Sequence, residues 1–306
     1  MGIAAAVIGA GVIGALLDNP GATQPLTHAG GYVAAGFDLV ALVETAPQAQ
    51  HGARRWGCDV FGDFDEMMRA KAPVVLSFAV PADVRPRLLM RALAYKPKLV
   101  IAEKPLAPTV EEAAAISSAY QKAGVPLVVN YTRRFMPFWQ EMKSRTAMSA
   151  TIRYAKGLRH NGTHAIDLCR LLFGECLLAT PLTRKSDHWQ DDPTVSAHLV
   201  FERCQDVFLQ GLDERCFTLF EVDIVGPDWR AVVDSDGRRV RRFQVRENVG
   251  IPAGRRLIEE AECRTGAEDA MLNLMRHARD VLYGASPLCS GDDAVAAQRI
   301  AAEMVG

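Results

Sequence analysis

The sequence predicts a two-part α/β chain. An amino-terminal doubly wound parallel sheet precedes an α+β domain with an open, mainly antiparallel sheet. Three observations predict it. Short, unbroken apolar runs alternate with helical segments through the first part of the chain, as strands buried on both faces do. A glycine turn, Gly9-Ala10-Gly11-Val12-Ile13-Gly14, follows the first run at once. After about residue 150 the alternation stops and strand patterns follow one another.

The strand candidates of the first part are Ile3–Ile8, Leu39–Val43, Val74–Val80, Leu99–Ala102 and Val125–Asn130. Pro81 halts the third and Pro105 stops the chain just beyond the fourth, because proline fixes φ and has no N–H to give a ladder. Helices are expected over roughly Asp63–Lys71, Ala82–Leu93 and Thr109–Ala123. The last opens Thr109-Val110-Glu111-Glu112, a capping box with Thr109 as N-cap.

The second part starts with a helix over roughly Gly162–Phe173. Strand patterns follow at Val195–Phe201, Val207–Leu212, Phe217–Val225, Arg230–Val233 and Val240–Val245, with Asp236-Gly237 as a hairpin signal between the last two. Glu268–Tyr283 and Asp292–Met304 read as closing helices. The expected division is residues 1–130 for the parallel-sheet domain and 131–306 for the α+β domain, with a ligand cleft between them.

Bulk properties narrow the function. The chain has 306 residues, 49% of them hydrophobic, and a formal net charge of −1, which gives no reason to expect a nucleic acid or an anionic membrane as partner. No apolar run is long enough to span a bilayer. The amino terminus lacks a basic stretch and reads as a first strand, not a signal peptide. Seven cysteines without a CxxC pair point to free thiols in a reducing cytoplasm, and against a disulfide frame or a zinc site.

The glycine turn gains meaning from its place after a strand and before a helix. Gly9 permits the tight turn, Gly11 lets the backbone approach a pyrophosphate, and Gly14 lets helix and sheet pack closely. The helix N-terminus then presents N–H groups to phosphate. Glu44, at the end of the second strand, would accept hydrogen bonds from an adenine ribose. It favours NAD over NADP, whose 2′-phosphate it would repel. Glu44 stands 30 residues beyond Gly14 (44 − 14), farther than the usual spacing, and the surplus falls in the loop-like Asn19-Pro20-Gly21-Ala22-Thr23-Gln24-Pro25. No GKS or GKT follows, which excludes a P-loop.

Two further segments carry chemistry. Lys104 lies in Glu103-Lys104-Pro105 at the carboxyl end of a buried strand, where open parallel sheets place ligands. Burial there would lower its pKa and suit it to proton chemistry. In His160-Asn161-Gly162-Thr163-His164-Ala165-Ile166-Asp167, Asn161 is the expected N-cap and His164 the third helical residue. The positive helix end would keep His164 neutral, able to accept a proton from a substrate hydroxyl, with Asp167 orienting it or binding substrate. Two rival readings stand beside this one. His160, His164 and Asp167 could hold a metal, although the zincin glutamate is missing; or the histidines only cap and pack.

On four motifs the chain resembles the Gfo/Idh/MocA family, the glucose–fructose oxidoreductase and inositol dehydrogenase-like enzymes. They are Gly9-x-Gly11-x-x-Gly14, Glu103-Lys104-Pro105-Leu106, Asn130-Tyr131-Thr132-Arg133-Arg134-Phe135 and Gly162-Thr163-His164-x-x-Asp167. The resemblance implies a Rossmann domain holding a nicotinamide cofactor against Gly9, Gly11, Val12, Ile13, Gly14, Glu44, Ala79, Pro81, Glu103, Lys104 and Asn130. It implies a sugar, nucleotide-sugar or cyclitol substrate, met by Tyr131, Arg133, Arg134 and Asn161. It also implies a homodimer or homotetramer built on the carboxy-terminal sheet, with no metal in the site. Lys104 looks like the family's lysine at the reacting hydroxyl and His164 like its acid/base histidine, with His160 and Asp167 beside them. Many members have an aspartate where His160 stands, and the family's frequent histidine after the fourth strand is replaced by Val84-Arg85. Three functions are therefore in view: an NAD(P)-dependent dehydrogenase or reductase, a lyase or glycosidase using transient oxidation, and a non-catalytic nucleotide-binding regulator.

Overall fold

The protein is described by a computed structural model covering residues 2–234, 236–247 and 254–305. The chain divides into two compact units, Met1–Phe135 with Glu268–Ala296, and Met136–Ala267 with Ala297–Gly306.

In the first unit the described residues form a six-stranded sheet of β1 (Ala4–Ile8), β2 (Asp38–Val43), β3 (Asp59–Phe61), β4 (Val75–Phe78), β5 (Leu99–Ala102) and β6 (Leu127–Val129). All pairs are parallel and the spatial order is β3-β2-β1-β4-β5-β6. Order reverses between β1 and β4, so ligands belong outside the carboxyl ends of the strands at that point. The apolar runs are the core: β4 and β5 are buried along their whole length. Flanking helices are α1 (His28–Ala34), α2 (Pro47–Ala53), α3 (Phe64–Lys71), α4 (Arg85–Ala92) and α5 (Val110–Ala123). Asp63 and Thr109 cap α3 and α5 through their side chains, which accept from Glu66 N and Glu112 N.

The helix expected after the glycine turn is cut short. Val12–Leu16 forms a single π-helical stretch, and the chain then leaves through Asn19–Pro25 before α1 begins at His28. Asp18 closes this detour. Its carboxylate accepts from Leu26 N at 2.5 Å, Thr27 N at 3.0 Å and Thr27 Oγ1 at 2.5 Å.

The second unit carries α6 (Pro137–Met142), α7 (Thr163–Phe173) and an eight-stranded sheet. Its strands are β7 (Ser149–Tyr154), β8 (Cys176–Trp189), β9 (Asp192–Phe201), β10 (Cys204–Gly211), β11 (Phe220–Val225), β12 (Trp229–Asp234), β13 (Arg239–Glu247) and β14 (Arg255–Arg264). The order is β14-β13-β12-β11-β7-β10-β9-β8, antiparallel except where β7 meets β10. Burial alternates along β9, β11 and β12, the mark of one covered and one open face. Asp236 and Gly237 both have positive φ (60° and 78°), which the hairpin turn into β13 requires.

A division at residue 130 does not describe the compact units. The helices α8 (Ala270–Leu282) and the start of α9 (Gly291–Val305) belong to the first unit. Met271 and Met275 of α8 pack on Gly31 of α1, the β6 backbone at Val129 N donates to Cys289 O at 2.9 Å, and Ser117 Oγ donates to Asp292 at 2.6 Å. These segments cover the β6 edge and the α1 face that residues 1–130 alone would leave bare. No helix among the described residues is long and apolar enough to cross a membrane, and all seven cysteines are free thiols.

Candidate active site

The glycine turn has the shape of a phosphate cradle. A Cβ on Gly14 would sit 1.8 Å from Gly9 O, and one on Gly9, whose φ is +90°, would lie 2.8 Å from the Ala79 carbonyl. Both positions therefore need glycine for packing. A Cβ on Gly11 would meet nothing within 4 Å, although its φ of −71° suits any residue. That open space over a backbone N–H is what a pyrophosphate oxygen needs. Val12 and Ile13 are solvent-exposed beside it. Glu44 follows the end of β2, and its Oε1 accepts from Thr45 N at 2.8 Å and Ala46 N at 3.0 Å, which fixes the carboxylate at the strand end. Ala79 and Pro81 follow the end of β4. These residues fit a dinucleotide.

Lys104 is half-buried beyond the end of β5, and its turn is clamped from two sides. Arg85, 3% exposed at the start of α4, donates through Nη1 to Glu103 O at 2.8 Å and to Pro105 O, and through Nη2 to Val80 O at 2.5 Å. Burial lowers its pKa to about 10. From the other side, Glu103 turns its carboxylate inward. Its Oε1 lies 3.0 Å from His28 Nε2 and accepts from Asn130 Nδ2 at 2.7 Å. Burial pushes the Glu103 pKa up, but the His28 and Asn130 hydrogen bonds and the charges of His28 and Arg85 outweigh it and leave it below the usual value. Glu103 and Asn130, expected against the cofactor, thus commit these groups to the interior. His28 and Arg85 escaped the sequence reading. The GxGxxG spacing ends well before His28, and nothing local distinguishes Arg85 from a solvated helix arginine.

The segment after β6 is largely buried. Tyr131 is fully buried, and Arg134, 5% exposed, donates to Leu288 O at 2.7 Å and Asp293 Oδ1 at 3.2 Å. Arg134 thereby ties the segment after β6 to the chain entering α9. Arg133 remains half-buried.

In the second unit the histidine segment also departs from expectation. Asn161 is not an N-cap: Gly157–Gly162 is already a π-helical turn that runs into α7, and Asn161 Nδ2 donates to Ala155 O at 2.9 Å. His164 is therefore well inside a continuous helical stretch, not at its positive end, and the helix-dipole argument for it falls. The true start is capped by Asp192, whose Oδ1 and Oδ2 accept from Arg159 N at 2.7 Å and His160 N at 2.9 Å. Burial raises the Asp192 pKa. His160 is exposed and packs its ring on Trp189 at 4.8 Å. His164 is half-buried with Nδ1 turned inside, and Asp167 is 1% exposed. Among the described residues no group of three or more His, Cys, Asp or Glu is arranged to hold a metal ion.

A parallel sheet of order 3-2-1-4-5-6 with an open glycine turn after β1 and an acid after β2 defines a dinucleotide-binding protein. Residues 3–131 match the Gfo/Idh/MocA family, an oxidoreductase family with an NAD-binding Rossmann fold. No curated protein sequence matches the chain. Solved structures share the fold over its whole length. One is an oxidoreductase from Agrobacterium radiobacter in complex with NAD+, L-tartaric acid and magnesium, 16% identical, TM-score 0.77, covering 99% of this chain and 95% of its own. A levoglucosan dehydrogenase in complex with NADH is 16% identical, TM-score 0.79, covering 100% and 96%. The UDP-N-acetylglucosamine 3-dehydrogenase of Acidithiobacillus ferrooxidans is 17% identical, TM-score 0.75, covering 99% and 97%.

Proposed function

We propose that this protein is an NAD-dependent oxidoreductase acting on a CH–OH group of a sugar, nucleotide-sugar or cyclitol-like substrate. The observation that carries the reading is the clamped lysine: Lys104 is held at the carboxyl end of β5, in the same sheet whose β1 ends in the open glycine turn. Bound NAD would supply the hydride acceptor for the carbinol carbon. Gly9, Gly11 and Gly14 with Val12 and Ile13 hold the pyrophosphate, and Glu44 takes the adenine ribose and disfavours a 2′-phosphate. Lys104 donates to the substrate oxygen and stabilises the alkoxide as its proton leaves. His164 takes that proton. With Nδ1 inside, Nε2 is the nitrogen for the exchange. Asp167, buried on the same helix, orients it.

The Asp192 cap changes the part given to His160. Its backbone is tied to β9 and its ring packs on Trp189, so it helps shape the substrate wall beside His164. The neighbours' substrates, levoglucosan and UDP-N-acetylglucosamine, support the polyol class. The free thiols suit the cytoplasm. Leu178, Leu182 and Phe208, exposed on the carboxy-terminal sheet, suit a homodimer or homotetramer formed there.

The test is NADH fluorescence across nucleotide-sugars, free sugars, cyclitols and imino-sugars, with light scattering on the same preparation for the assembly. On the substrate found, Lys104→Ala should lower kcat by about 100-fold or more while NADH still binds. Near-normal turnover in that variant refutes the role of Lys104.

A further inference from the structure

His28 is a histidine with one engaged nitrogen. It is fully buried at the first position of α1, and Nε2 meets Glu103 Oε1 at 3.0 Å. Its Nδ1 is buried with no hydrogen-bond partner among the described residues. A buried polar atom left unpaired is costly, so the imidazole has a use that outweighs it. A leucine would fill the same space without the orphan nitrogen; what only a donor supplies is the bond to Glu103.

That bond is one end of a continuous polar chain. Glu103 is 15% exposed and immediately precedes Lys104. Asn130 holds the same oxygen at 2.7 Å, so the carboxylate is fixed by two donors on two different elements. On the other side, His28 follows Thr27, whose Oγ1 accepts from Gly30 N at 3.0 Å and donates to Asp18 Oδ1 at 2.5 Å. Asp18, 8% exposed, lies two residues past the π-helical stretch that the glycine turn opens. Gly30 leaves room for this carboxylate: a Cβ there would come 2.6 Å from Asp18 Oδ2.

We propose that His28 is a positioning residue for Lys104: with Asn130 it fixes the Glu103 carboxylate and so the turn that presents Lys104, and Asp18 and Thr27 tie that hold to the chain leaving the glycine turn. The inference rests on the reading of Lys104 as the group that acts on the substrate hydroxyl. Without the His28 donor, Glu103 is held by the Asn130 amide alone and its carboxylate swings toward solvent beside the Lys104 ammonium. An adjacent anion favours the charged lysine and makes the free amine scarcer.

The experiment reads Lys104 without needing a substrate. The rate at which Lys104 reacts with acetic anhydride is followed by mass spectrometry from pH 7 to 10 in wild type, His28→Gln and His28→Phe. Thermal unfolding and NADH affinity are measured alongside. Gln keeps an N–H donor near the Nε2 position, whereas Phe keeps only the ring volume. His28→Phe should label Lys104 at least about threefold more slowly near neutral pH, and His28→Gln should restore most of the rate. On a substrate that wild type turns over, His28→Phe should lose about 10–100-fold in kcat with NADH affinity little changed. If His28→Phe does not fold, Thr27→Val, which keeps the imidazole but removes the hydroxyl bridge to Asp18, should slow labelling in the same direction. Labelling equal to wild type in the folded variants, or equal losses in His28→Phe and His28→Gln, would overturn the proposal. A wild type that turns over no substrate while the labelling difference persists would sink the oxidoreductase reading and leave the positioning of Lys104 standing.

Discussion

The sharpest prediction separates the two jobs done by glycines in one turn. Gly11→Ala and Gly14→Ala add the same single methyl group three residues apart. At Gly14 the new Cβ would lie 1.8 Å from Gly9 O and 2.9 Å from Gly9 C. Carbon atoms do not approach a backbone oxygen closer than about 3 Å, so the two backbone segments must part by about 1 Å or more, with no flexible side chain to absorb the shift. Overpacking of that kind costs about 3 kcal/mol or more, visible as a clear fall in the urea midpoint. At Gly11 the Cβ meets nothing within 4 Å and φ is −71°, so stability should change by no more than about 0.5 kcal/mol. The same methyl group stands where a phosphate oxygen must come within about 3 Å of a backbone N–H. NADH affinity should then fall at least tenfold, about 1.4 kcal/mol. Urea titration and NADH fluorescence on both variants decide the matter. If Gly11→Ala binds NADH as wild type does, the pyrophosphate is not at this turn. If it unfolds as readily as Gly14→Ala, the open space above Gly11 is not there.

Two other predictions concern buried ionisable groups. Arg85→Met leaves the carbonyls of Val80, Glu103 and Pro105 without their donor, and should lower stability by about 3 kcal/mol or more; a urea midpoint equal to wild type would show that water replaces the guanidinium. His277 is buried and its Nε2 accepts from Leu288 N at 2.9 Å, and burial lowers its pKa below the ordinary histidine value. Its contribution is therefore fully present above about pH 6.5 and lost as pH falls through the lowered value, because the unfolded chain takes the proton first. Melting temperature should drop more steeply between pH 7 and pH 5 in wild type than in His277→Gln, whose amide oxygen accepts the same bond without titrating; equal slopes refute this.

The parts of the fold that announce themselves in the sequence are those set by local rules. The apolar runs that became β1, β4 and β5 are buried on both faces, and burial on both faces leaves no alternation to misread. Thr109 sits at a helix start because its side-chain oxygen takes up the Glu112 N–H there. The parts that stayed hidden are set by distant partners. Strand β14, almost wholly exposed, carries Arg255-Arg256 and Glu259-Glu260 and reads as polar loop until β13 pairs with it. The strand β8 begins Cys176-Leu177-Leu178 but then takes in Pro181 and a run of polar residues, and its register slips three times against β9. No periodicity survives that. Helix α7 was legible, but the helical turn at Gly157–Gly162 that leads into it was not, since its cap is Asp192 from a strand some thirty residues on.

The same distinction explains the two places where the chain leaves the family pattern. The aspartate expected four residues before His164 is absent, yet a carboxylate still meets that turn. Asp192 reaches it from β9, and Gly157 makes room, since a Cβ there would lie 2.2 Å from Asp192 Oδ2. Both Asp192 oxygens accept from backbone N–H groups, so this carboxylate shapes the turn. The histidine missing after β4 is answered likewise. Arg85 occupies the position and donates to the carbonyls of Val80, Glu103 and Pro105. In both cases the side chain found there fixes a backbone turn. On the function proposed above, proton chemistry falls to Lys104 and His164, and Lys104 depends on how rigidly the Arg85 and Glu103 contacts hold its turn.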